Sequence, residues 1–182
     1  MEILSQLISR YPELIVCKAD FLLTYNLMVD SIRAGGKVLV CGNGGSAADA
    51  LHIVGELMKG FRNQRCLSTN DRDKLIEKNP YEGGYLADHL QGALPAVSLV
   101  SEISLITAFA NDVDPEMIFA QQVYGLGRAG DILIAISASG NATNVIHAVR
   151  VARAFEIHTI GLTGPKGGIL KSICDVTVCA PG

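Results

Sequence analysis

Charge is scarce in this chain: only 18% of its 182 residues are Asp, Glu, Lys or Arg, against 49% hydrophobic, and the formal net charge is −3. Without a basic excess there is no field of the kind that nucleic acid or an anionic membrane needs, which leaves a small polar ligand or a protein as the expected partner. Long hydrophobic runs are missing too. None approaches the roughly 18–20 residues that cross a bilayer, so the mean hydropathy of +0.32 points to apolar subunit interfaces. The start, Met1-Glu2-Ile3-Leu4, has no basic n-region, and no small-residue cleavage site follows an apolar stretch; no secretory signal is read and a cytoplasmic location is expected. No C-x-x-C pair occurs among Cys17, Cys41, Cys66, Cys174 and Cys179. Three of these lie in or beside apolar strands, so reduced, mostly buried thiols are expected.

What is present is an alternation. At this length one α/β domain suffices, burying roughly 70% of the surface of the unfolded chain. Pro12 sits where a first helical residue belongs. Leu14, Cys17, Phe21, Tyr25, Met28 and Ile32 then recur every three or four residues up to Gly35-Gly36, which predicts one long amphipathic helix closed by glycine. Apolar β-branched runs follow at 37–41, 96–100, 131–136, 157–162 and 175–179. Helices are predicted at about 46–59, 103–110 and 144–155, and another opens at Asp114-Pro115-Glu116 with an N-cap and proline at N1. The pattern predicts a three-layer, doubly wound, five-stranded parallel sheet, for which the flavodoxin-like order 2-1-3-4-5 is taken as the expectation. Residues 1–36 form a helical segment assigned to an oligomer interface, and 37–182 the α/β domain. Residues 61–92 interrupt the alternation with charged residues, Asn79-Pro80 and Gly83-Gly84; a surface excursion is the plain reading, a lid or interface arm the sharper one.

Two strand-to-helix turns carry the chemistry. Cys41-Gly42-Asn43-Gly44-Gly45-Ser46 follows the first strand and Ser137-Ala138-Ser139-Gly140-Asn141-Ala142-Thr143 the third. Glycines let backbone N–H groups face outward, serine hydroxyls add donors, and each following helix aims the positive end of its dipole at the same place, which suits phosphate. In the order 2-1-3-4-5 both turns border one crevice, at the point where the winding reverses. No Gly-Lys-Ser/Thr follows either turn, so a nucleoside triphosphate with Mg²⁺ is not expected.

His52 and Glu56, four apart, share one helix face opposite a stripe formed by Ala47, Leu51, Val54 and Met58. They are read either as a solvated polar pair or as two metal ligands or an acid/base pair at a subunit boundary; zinc takes at least three protein groups, so others must come from elsewhere. Glu102, just past the second strand, is read as an acid that hydrogen-bonds a polyol or moves a proton, or as a structural acid at a helix start. Thr163 reads as a turn residue. His89, His147 and His158 have no partner pattern.

The segment from Cys41 to His52, with residues 133–141 and Ile160-Gly161-Leu162-Thr163-Gly164, resembles the sugar isomerase (SIS) domain family and, within it, the phosphoheptose isomerases. The resemblance covers nearly the whole chain from the first long helix, except 61–92. It implies interconversion of sedoheptulose 7-phosphate and D-glycero-D-manno-heptose 7-phosphate, or of a related sugar phosphate. Asn43, Gly44, Gly45, Ser46, Ser137, Ser139, Gly140, Asn141 and Thr143 would bind the phosphate and substrate, and Glu102 falls where the family has a substrate-binding aspartate. His52 and Glu56 would bind zinc, with Glu56 also the proton-transfer base, in a homotetramer whose sites lie between subunits. The family's further zinc-binding histidine and glutamine stand on a final long helix with no counterpart before Gly182. Ala138 and Ala142 replace family hydroxyls, which is expected to remove 1–2 phosphate hydrogen bonds at about 1 kcal/mol each. Two other readings follow from the same resemblance: a non-catalytic SIS module that binds sugar phosphate or acts as a DnaA-associating-type adaptor, and an etherase or lyase. Glu56 argues against the adaptor.

Overall fold

The computed structural model describes residues 2–182. Its apolar runs form β1 (Val38–Gly42), β2 (Ala96–Ser98), β3 (Ile132–Ser137), β4 (His158–Thr163) and β5 (Val176–Cys179), all parallel and ordered β2-β1-β3-β4-β5. That is the order the sequence predicts. β1 and β3 are nearly continuous apolar runs because both of their faces are covered. Val38, Val40, Ile132, Ile134 and Ile136 pack on one face, under α2 (Lys18–Arg33) and α3 (Gly45–Met58). Leu39, Cys41, Leu133 and Ala135 pack on the other, under α7 (Ile118–Leu126) and α8 (Thr143–Ala154). In register, Gly42 stands beside Ile136 and Ser137 beside Thr163. The turns leaving β1, β3 and β4 therefore emerge side by side at one edge.

Three expectations are corrected. The single helix predicted from Pro12 to Gly35 is two pieces, a 3₁₀ stretch over Pro12–Cys17 and then α2, and a separate helix, α1 (Glu2–Arg10), precedes it. Tyr25, placed on its buried stripe, is exposed. On α3 the inward stripe is Ala50, Ile53, Val54 and Leu57, whereas Leu51 and Met58 are 51% and 46% exposed. Those two are apolar but lie to the side, about 80–100° round the helix from Ala50 at 100° per residue. His52 and Glu56 still face away from the sheet. Finally, 61–92 is not loop throughout, for it contains α4 (Thr69–Lys78) and α5 (Gly83–His89). The start of α4 is signalled by Ser68-Thr69-Asn70-Asp71, whose Ser68 Oγ accepts from the Asp71 N–H at 3.1 Å, an S-x-x-D cap. Arg72 and Asp88 tie α4 to α5 at 2.6 Å.

Burial decides the thiols. Cys41 is buried in β1, and burial, with the Cys174 thiol as the lesser cause, pushes its pKa up to about 12. Burial also raises Cys174 to about 12, with Asp175 next in importance. Neither is a thiolate nucleophile at neutral pH. Among the described residues no helix is long and apolar enough to cross a membrane.

At the opposite, N-terminal end of the sheet a carboxylate is buried. Asp131 is 3% exposed; its Oδ1 accepts from the Lys37 N–H at 2.9 Å, and its Oδ2 from the Arg128 N–H at 2.8 Å and from Lys37 Nζ. This ties the starts of β1 and β3 together. Asp131→Ala strands two backbone donors and a lysine that is only partly exposed, so we expect a loss of about 2–3 kcal/mol of stability. Urea unfolding checks it; a change under 1 kcal/mol would refute the role.

Candidate active site

The two glycine- and serine-bearing turns meet. Asn43, in the turn after β1, donates its side-chain amide to Asn144 Oδ1 at 2.8 Å, and Asn144 donates back to Asn43 Oδ1 at 3.1 Å. This reciprocal pair, 101 residues apart in sequence, bridges the turn after β1 and the first turn of α8. Asn144 was not legible as a site residue. Its only sequence signal is a polar amide in the first turn of a helix that starts at the crevice.

Beside the bridge lies a cavity of ≈430 Å³ lined by Asn43, Gly45, Ser46, Ser137, Ser139 and neighbouring apolar side chains. Local chain geometry shapes it. Gly44 has φ +55 and ψ −120, a conformation open essentially to glycine alone, and it turns β1 into α3. Gly140 has φ +68, and a Cβ there would lie 1.9 Å from the Gly167 carbonyl oxygen. The serine turn is thus pressed against residues 164–170, where Leu170 N–H donates to Gly140 O at 3.1 Å and Ile169 N–H to the Asn141 side-chain oxygen at 3.0 Å. The Asn141 side chain holds this turn in place. Ser137 is buried and its Oγ is 3.5 Å from that of Ser139, which accepts from the Asn141 N–H at 3.2 Å. Thr143 is the first residue of α8. Two helices of more than eight residues, α3 and α8, thus begin at this cavity, and their N-terminal N–H groups and dipoles favour an anion there.

Ser46, Ile136 and Ala138 form a common wall with a larger space of ≈550 Å³. Its floor is apolar, with Phe21, Ile53, Leu162 and Val178, and its polar side chains are Ser46, Asp49, His52 and Thr163. Thr163, read from sequence as a turn residue, and Asp49, inside the Cys41–His52 segment but assigned no role there, join the surroundings of the site together with Phe21, which no motif marks. An anion site beside a space with a polar margin suits a small molecule with a charged end group.

Of the predicted residues, His52 borders this larger space and Glu56 stands one turn further along α3, outside both cavities. His52 Nε2 is 3.6 Å from Glu56 Oε1, with side chains 79% and 48% exposed. That is a close approach, too long for a hydrogen bond. Glu102 precedes α6 (Ile103–Asp112) at the same edge of the sheet, exposed and lining neither cavity. A zinc ion takes at least three protein groups, and among the described residues no His, Cys, Asp or Glu cluster of three stands close enough to hold one. His52 and Glu56 alone do not fit zinc.

The sequence profile of the SIS domain matches residues 18–70 and 76–164. Curated relatives include a phosphoheptose isomerase from Roseiflexus sp. (strain RS-1), 40% identical over 154 residues, 85% of this chain and 65% of that protein. Another phosphoheptose isomerase, from Rhodospirillum rubrum, is 40% identical over 151 residues, 83% and 66% of the respective lengths. The matched stretch spans just under two thirds of these relatives. Among solved structures, phosphoheptose isomerase GmhA from Neisseria gonorrhoeae superposes with a TM-score of 0.70 at 32% identity over 98% of this chain and 85% of that one. A phosphoheptose isomerase from Francisella tularensis gives 0.72 at 30% identity, over 100% and 87%.

Proposed function

The chain belongs to the SIS domain family, and from that premise we propose that it is a phosphosugar aldose-ketose isomerase acting on sedoheptulose 7-phosphate. The observation that carries the proposal is the Asn43–Asn144 bridge, which holds two serine-bearing turns around one cavity fit for a phosphate. Relatives named phosphoheptose isomerase support the choice of sugar.

In this reading Ser46, Ser137 and Ser139, with the N–H groups at the starts of α3 and α8, bind the terminal phosphate. Binding energy from that remote group then orients the carbonyl end of the sugar. Glu56 removes the proton from the carbon next to the carbonyl to give an enediolate, the hydroxyl proton on that carbon passes to the former carbonyl oxygen, and the protonated Glu56 returns its proton to the adjacent carbon. His52 lies beside Glu56 and borders the larger space. Asn43, Gly44, Gly45, Gly140, Asn141 and Thr143 shape the anion site, and Glu102, at the same edge of the sheet but outside both cavities, is proposed to meet only a part of the sugar that extends beyond them. Zinc is proposed only as a ligand shared between His52, Glu56 and donors beyond the described residues of one chain, and no step here depends on it. Assembly into a homotetramer through residues 1–36 is proposed on the exposed Ile3, Ile15, Val16, Leu23 and Tyr25 of that segment, since apolar surface of this kind marks interfaces. A cytoplasmic location is proposed with it.

Purified protein supplied with sedoheptulose 7-phosphate and zinc is expected to form the heptose 7-phosphate, read by proton NMR of the anomeric region. No product from full-length protein would overturn the assignment.

A further inference from the structure

Glu56 lies in the last turn of α3, where a helix runs out of its own hydrogen-bond donors. α3 ends at Met58, with the Lys59 N–H closing on Gly55 O at 2.9 Å. The next carbonyls, of Glu56 and Leu57, would be orphans unless something outside the helix donates to them. Arg65 does. Its Nη2 is 2.6 Å from Leu57 O and 3.4 Å from Glu56 O, and its Nε is 2.8 Å from Gly92 O. The backbone reinforces the contact: Gly92 N–H donates to Arg65 O at 2.7 Å and Leu94 N–H to Leu57 O at 2.9 Å. One edge of a single guanidinium therefore joins the C-terminus of α3 to the returning end of the excursion that holds α4 and α5.

We infer that Arg65 is a positioning residue for Glu56, fixing the last turn of α3 and so the direction of the carboxylate. This rests on the reading of Glu56 as the base. The guanidinium suits the task because its rigid fork presents parallel N–H groups to two carbonyls at once, and its charge complements the negative end of the helix dipole. A lysine keeps the charge but not the fork, so the conservative variant separates the geometric role from a general electrostatic one. The excursion also gains a purpose, since its base buttresses the turn that carries the acid.

The test compares Arg65→Lys and Arg65→Met in the full chain by steady-state kinetics, binding of inorganic phosphate, and amide hydrogen exchange at residues 56–59. For both variants kcat is expected to fall tenfold or more while KM and phosphate affinity stay within twofold, and exchange at 56–59 to accelerate at least tenfold. Should Arg65→Met fail to fold, Arg65→Lys carries the same expectations. Unchanged exchange at 56–59, unchanged kcat, or full activity of Arg65→Lys would overturn the inference. If the wild-type protein has no isomerase activity, it is the functional reading that fails; the exchange measurement alone then decides whether Arg65 holds this turn.

Discussion

Glu56→Gln is expected to lower kcat for sedoheptulose 7-phosphate isomerisation by about 10²–10⁴-fold, the contribution of a positioned general base. The substitution preserves shape and hydrogen-bonding reach but removes the group that accepts the proton. Because Glu56 lies outside the cavity lined by Ser46, Ser137 and Ser139, phosphate anchoring is untouched and KM should change by no more than about threefold on the same reasoning. An effect confined to kcat assigns the residue to the chemical step. The competing view, an exposed carboxylate paired with His52 on a solvated helix face, predicts nearly wild-type kcat, since exposed pairs are worth little. Activity within twofold of wild type would end the role of Glu56 as base, and the inference about Arg65 with it.

Gly140→Ala is expected to abolish phosphate binding in practice, with affinity reduced about 100-fold or more and stability lowered by roughly 2–4 kcal/mol. Two penalties combine here. A side chain at φ +68 is strained, and the new Cβ would sit 1.9 Å from Gly167 O, backbone that cannot step aside cheaply. The serine turn must lift away from residues 164–170, carrying Ser137 and Ser139 out of line. Gly130→Ala is the control. It has a comparable φ of +84 but nothing within 4 Å of the added Cβ, so it should cost only the conformational strain, about 1 kcal/mol, and leave phosphate binding intact. Isothermal titration with inorganic phosphate and urea unfolding read both effects. Equal behaviour of the two variants would show that close packing of the serine turn is unimportant.

Legibility in the sequence varied with the range of the interaction. The strands were readable because burial on both faces demands apolar runs, as in Val38–Cys41 and Ile132–Ile136, and the turns after β1 and β3 because two glycine- and serine-bearing turns coincide at the expected crevice, each alone being explicable by chain sterics. The inward face of α3 was misread for a physical reason: Leu51 and Met58 are apolar yet exposed, and periodicity registers hydrophobicity without saying which surface receives it. The span from Pro12 to Gly35 was read as a single helix because a 3₁₀ stretch and an α-helix share similar apolar spacing over one or two turns. α4 went unread because its charged sequence has no apolar stripe, leaving only the Ser68–Asp71 cap as a signal.

By itself, then, the chain's order of residues determined the alternation of strands and helices and the two glycine- and serine-bearing turns, properties set by neighbours a few positions apart, while the strand order it led us to expect is fixed by pairing between distant strands. Tertiary structure alone decided that Asn43 reaches Asn144 across 101 residues, that Gly140 lies against Gly167, that Glu102 stands outside both cavities, and that Arg65 closes the end of α3. Contacts of this kind depend on distances between elements. Local propensity and hydrophobic period do not encode them, because each is the joint outcome of how every layer of the sheet and its helices packs.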